Sequence, residues 1–102
     1  MTLPKFIITL DGYLRLGMVS QHEQLLKSDD DCIGGGYYLF DYVSNRILLD
    51  SESYDFGRPK WYLLETLKVP SAYRGMGIVY KYDDGLHDDF NVSNELIIEY
   101  YD

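Results

Sequence analysis

The chain has 102 residues, 46% of them hydrophobic and 25% charged, with 17 acids against nine bases and a net charge of −8. That length holds one domain with one core, and the composition is that of a globular chain rather than a disordered one. An acidic field repels phosphate, which excludes direct nucleic-acid binding, and the single Cys32 excludes an internal disulfide and a cysteine-rich metal site.

The N-terminus, Met1-Thr2-Leu3-Pro4-Lys5, lacks the charged region and apolar run of a signal peptide. No apolar run approaches the roughly 18–20 residues that span a bilayer. A soluble, cytoplasmic protein with no membrane partner is therefore expected.

Residues 6–10 and 13–19 are apolar runs flanking Asp11-Gly12. Asp-Gly predicts a two-residue type I′ hairpin loop, with positive φ at both positions. That loop pairs Leu10 with Tyr13, Thr9 with Leu14 and Ile7 with Leu16. Both faces of this hairpin are mostly apolar, so cover on both sides is expected.

Ser20-Gln21-His22-Glu23 has capping-box spacing and predicts a short helix through Lys27 that buries Leu25 and Leu26. His22 shares their side and is expected to be a packed histidine rather than a general base. Residues 28–31 form a solvated loop.

Residues 36–43 and 46–51 predict a second hairpin around Ser44-Asn45, with Tyr42 opposite Ile47. One face then carries Tyr38, Phe40, Tyr42, Ile47 and Leu49. Pro59 suits the first position of a helix over residues 59–68, with Trp61, Leu63, Leu64 and Leu67 as its apolar stripe. Residues 77–82 and 95–101 alternate as strands, with Ile78, Tyr80 and Tyr82 on one face and Leu96, Ile98 and Tyr100 on another. The expected fold is a single α+β domain over residues 1–102. Its sheet is mainly antiparallel, with five to six strands and two short helices.

Motifs of chemistry are weak. Gly34-Gly35-Gly36 leads into a strand and follows three aspartates, so a bulge or a close backbone approach explains it better than a phosphate cradle. Asp55-Phe56-Gly57 matches the kinase triplet in letters only. Residues 89–95 place oxygens at alternate positions, but Asn94 and Tyr100 stand where a calcium loop needs Gly and Glu. A weak cation site among Asp83, Asp84, Asp88 and Asp89 is the remaining metal alternative. The sequon Asn91-Val92-Ser93 has no secretory signal to give it meaning. No cofactor and no metal are expected, and neither histidine has the spacing of a nucleophile motif.

Charge is distributed unevenly. Seven acids fall within residues 82–102, which carry no Lys or Arg. Seven more fall within residues 29–57 against Arg46, while residues 58–74 hold Arg58, Lys60, Lys68 and Arg74 against Glu65. The acidic surface suits a basic protein partner. The aromatic junction over residues 53–61 supplies the residue types that anchor interfaces.

The expected function is a small, acidic, non-enzymatic interaction module of inhibitor, immunity or charge-mimic type. Its candidate contact residues are Tyr54, Asp55, Arg58, Trp61, Asp83, Asp84, Asp88 and Asp89. The alternative is a small-ligand site or minor enzyme at the 53–61 junction. A homodimer is compatible with either.

Overall fold

The structure is a computed structural model that describes residues 1–27, 30–50, 57–82 and 84–102. Among these residues eight strands form two sheets. The larger runs β2-β1-β3-β4-β6-β7 and the smaller pairs β5 with β8. The strands are β1 (Leu3–Thr9), β2 (Leu14–Val19), β3 (Cys32–Asp41), β4 (Arg46–Asp50), β5 (Thr66–Pro70), β6 (Gly77–Lys81), β7 (Phe90–Asn91) and β8 (Ile97–Tyr101).

This corrects the α+β expectation. Strand dominates, and among the described residues helix is limited to α1 (Val92–Glu95) and three 3-10 turns at His22–Leu25, Trp61–Leu63 and Ser71–Tyr73. The larger sheet is mixed, because β4 and β6 run parallel. β5 and β8 are parallel as well. Parallel neighbours need a crossover, and here the crossovers interleave. The chain passes from β4 through β5 in the second sheet to reach β6, and from β5 through β6 and β7 to reach β8.

The segment expected to be a helix over residues 59–68 divides in two. Its apolar stripe does not face one way, since Leu63 is exposed while Leu67 is fully buried. The alternation Leu67, Lys68, Val69 instead builds β5, with Leu67 and Val69 both buried. The first expected helix shrinks to one 3-10 turn. Gln24 Oε1 there accepts the backbone N–H groups of Ser20 and Gln21, at 2.9 and 3.0 Å. Gln24 thus does the work expected of Glu23.

The β1–β2 hairpin slips by one residue from its expected register. Gly12 takes φ +87°, but Asp11 does not share a positive φ, so the loop is not type I′. Gly12 N–H donates to Thr9 O and Thr9 N–H donates to Tyr13 O, both at 2.9 Å. The loop therefore spans Leu10, Asp11 and Gly12, a turn closed by a glycine bulge. Leu14 and Leu16 now oppose Ile8 and Phe6 instead of Thr9 and Ile7. Phe6, Ile8, Leu14 and Leu16 share the core face, and a one-residue slip has that consequence in any strand pair. β1 is buried on both faces from Lys5 to Thr9, as expected.

In the β3–β4 hairpin the slip is two residues, with Phe40 opposite Ile47. An even shift preserves the faces, so Tyr38, Phe40, Ile47 and Leu49 still point together into the core. Tyr42 moves out into the turn and is exposed. Ile78 and Tyr80 from β6, Leu67 and Val69 from β5, Val92 from α1 and Trp61 complete one continuous core between the sheets.

Candidate interaction site

The triple glycine is a platform for a crossing segment. Gly35 N–H donates to Gly57 O at 3.3 Å and Lys60 N–H donates to Ile33 O at 3.2 Å, which straps residues 57–60 across β3. A Cβ on Gly34 would lie 2.4 Å from Pro59 Cα, and one on Gly36 would lie 1.9 Å from Asp50 O. The close backbone approach expected from the sequence is what these glycines permit. The ladder with β1 also shifts here, since Ile8 opposes Gly34 and Thr9 opposes Cys32.

The strap fixes the next residues. Trp61 is 6% exposed, stacks on Phe90 at 5.4 Å and meets Tyr80 edge-on at 5.6 Å. Arg58 turns the other way. Its guanidinium lies 2.9 Å from Asp84 Oδ2 and 5.8 Å from the centre of the Tyr82 ring.

Asp84 ties the loop that follows β6. Its Oδ1 accepts the backbone N–H groups of Leu86 and His87 at 2.9 and 3.1 Å. Its Oδ2 accepts His87 Nδ1–H at 2.6 Å beside Arg58. The Leu86 N–H and then the His87 and Arg58 contacts hold this carboxyl well below the usual carboxylate range. Asp84 is thus used inside the fold, and the loop shape is set by it. Leu86, 87% exposed, stands at the loop tip with Asp88 and Asp89 exposed behind it. Lys81 Nζ approaches Asp89 at 3.7 Å.

Of the residues the sequence nominated, Arg58 and Asp84 meet directly, and Trp61 is packed in the core against Tyr80 and Phe90. Asp88 and Asp89 remain on the surface. Tyr54, Asp55 and Asp83 lie outside the described residues, as do residues 53–56 of the 53–61 junction. His22 is packed as expected, 3% exposed, with Nε2–H donating to Gly36 O at 2.9 Å. Among the described residues no group of His, Cys, Asp and Glu is placed to hold a metal ion. None of their helices is long and apolar enough to cross a membrane.

A second feature had no signal in the sequence. A groove of about 430 Å³ lies beside the β1–β2 turn, lined by Asp11, Tyr13, Arg15, Lys27, Asp30, Tyr101 and Asp102. Its residues come from three separated segments, 11–15, 27–30 and 101–102, which is why no motif marks it. Most of its polar groups are engaged. Arg15 donates to Leu25 O and pairs with Asp30, and its hydrogen bond to the Asp30 carboxylate is the main cause of the lowered pKa of Asp30. Tyr101 donates to Leu14 O at 2.7 Å. Lys68 Nζ sits 4.5 Å over the Tyr13 ring. The groove is open and mixed in charge, unlike the enclosed apolar pockets that hold small ligands.

The chain matches no family model, no curated protein and no solved structure.

Proposed function

We propose that this chain is a small acidic interaction module that docks a basic protein partner. The observation that carries the reading is the loop pinned by Asp84. One carboxylate is spent on fixing the backbone, which leaves an exposed apolar tip, Leu86, in a fixed shape beside the outward acids Asp88 and Asp89. A preformed loop loses less conformational freedom on binding, and its charge steers a basic partner. The net charge of −8 supports the same direction. Nucleic acid is not a direct partner in this reading.

The small-ligand alternative at the 53–61 junction has less support. Arg58 is engaged by Asp84, and Trp61 is occupied as core. The test is affinity capture from the source cells with the wild-type chain and with a Leu86→Ser, Asp88→Asn, Asp89→Asn variant. The reading requires a basic protein that is retained by the first, lost by the second and released by salt. Equal capture by both chains would refute it.

A further inference from the structure

The side of β8 turned away from β5 is an unsealed strand edge. β8 pairs with β5 alone, and in parallel. Ile97 N–H donates to Glu65 O at 2.9 Å, which sets the alternation of this ladder. In a parallel pair every second residue bonds its neighbour with both backbone groups, so Ile97, Glu99 and Tyr101 face β5. The N–H and C=O groups of Ile98 and Tyr100 point the other way. Among the described residues those groups have no hydrogen-bond partner. β5 and β6 are closed by contrast. β5 is bridged to the first hairpin at Tyr13–Lys68, where Lys68 N–H donates to Gly12 O at 2.8 Å. On β6, Ile78 N–H donates to Ser93 Oγ at 2.6 Å and Tyr80 pairs with Phe90.

We propose that β8 takes an extended segment of a partner protein as an added strand, one that alternates apolar and basic residues. The faces of β8 set that pattern. Ile98 and Tyr100 turn to the core, while Ile97 and Glu99 are exposed on the outer face. An added strand continues both faces. Its inward residues cover Ile98 and Tyr100, and its outward residues lie beside Ile97 and Glu99.

Charge identifies the occupant. Glu99 lies opposite Lys68 of β5, but Lys68 turns away from it. Lys68 Nζ sits 4.5 Å over the Tyr13 ring and donates to Asp11 O at 3.2 Å. Glu99 therefore has no ion-pair partner among the described residues. Arg74, the other cation at this strand, lies 4.4 Å over the Tyr100 ring. Glu95 and Asp102 flank β8, both exposed, and residues 82–102 hold no Lys or Arg. The same edge of a second copy would bring Glu99 against like charge, which disfavours self-pairing. A Lys or Arg on an incoming strand supplies the counter-charge that Glu99 lacks. With two open residues the contact is short and the affinity modest. β8 shares no residue with the Asp84 loop, so this surface and the loop can fail separately.

The test is an NMR titration of the full chain with a short, end-blocked peptide of alternating Val and Lys. Binding should weaken with salt, and amide exchange at Ile98 and Tyr100 should slow as the peptide is added. A peptide of alternating Val and Glu should not bind. Nor should the Val-Lys peptide with its backbone amides methylated, which keeps every side chain and loses the strand bonds. Glu99→Lys should weaken binding by about tenfold and Glu99→Gln by less, both with melting temperatures near wild type. The Leu86→Ser, Asp88→Asn, Asp89→Asn variant should bind the Val-Lys peptide as wild type does. Equal binding of the methylated peptide overturns the proposal, because simple charge attraction would then suffice. So do unchanged exchange at Ile98 and Tyr100, full binding by Glu99→Lys, and loss of binding in the loop variant.

Discussion

Arg58 Nη1 lies 2.9 Å from Asp84 Oδ2 and joins the strap over β3 to the loop after β6. Twenty-five residues separate these groups in the chain. The pair brings one cation of the basic stretch against the acidic one, so the two charge blocks of the sequence are not two separate faces of the molecule. Asp84 becomes a structural group, while Asp88 and Asp89 stay exposed.

The Asp84 contacts predict a pH dependence of known sign. Its folded pKa lies below the unfolded value of about 4, so its contribution is present above that pH and is lost as pH falls below it. Asp30 and Asp41 are lowered too and act in the same direction. Asp84→Asn keeps an oxygen for the Leu86 N–H but turns an amide donor toward Arg58 and His87. Urea midpoints measured from pH 7 to pH 3 should fall more steeply for wild type than for Asp84→Asn. Parallel curves would show that the Asp84 contacts do not contribute.

Gly12 is expected to tolerate no side chain. Its φ is +87°, and a Cβ would sit 2.7 Å from Thr66 O, the backbone of β5. Gly12→Val combines backbone strain of roughly 1–3 kcal/mol with that clash. A marked drop in melting temperature is the expected outcome. An unchanged value would mean that Gly12 does not hold β5 against the hairpin.

Trp61 is expected to be a core residue before anything else. Truncating a buried Trp to Ala costs roughly 3–5 kcal/mol, enough to unfold many small domains. Trp61→Phe should fold with a lowered melting temperature. Native tryptophan emission should be blue-shifted and poorly quenched by iodide. A red-shifted, freely quenched spectrum would place the ring in an interface instead.

Cys32 is expected to react slowly. Burial pushes its thiol up, with Asp31 adding to the shift against a hydrogen bond from Gly34. The thiolate is the reactive form and is scarce at neutral pH under these conditions. Alkylation should be much slower than for a free cysteine peptide at pH 7 and should accelerate on unfolding. Equal rates in the native and unfolded chain would contradict this.

What the sequence made legible followed from periodicity. Alternation placed Ile78 with Tyr80 and Leu96 with Ile98 and Tyr100, and those side chains all reach the core. The faces of β3 and β4 were correct although their register was not, because a shift of two keeps parity. The first hairpin shows the opposite case. Asp-Gly signals a turn, but the loop closes over three residues, with Thr9 Oγ1 accepting the Tyr13 N–H and Gly12 O accepting the Lys68 N–H of β5, contacts no local pattern contains. Residues 59–68 misled because Trp61, Leu64 and Leu67 repeat every three residues while Leu67 and Val69 repeat every two. Pairing with β8 decides between those periods. The site was legible in part. Acidity pointed to residues 84–89, but nothing in the sequence said that Asp84 would be consumed by Arg58 and two backbone N–H groups.

The most direct measurement is the association rate of the captured basic partner with the wild-type chain and with Asp88→Asn, Asp89→Asn. Stopped-flow traces would be taken at low and high salt. Long-range steering by the outward acids predicts slower association for the variant and a shallower salt dependence, with unfolding midpoints unchanged. Rates that agree between the two chains at both salt concentrations would contradict the account and leave the acidic loop without a part in recognition.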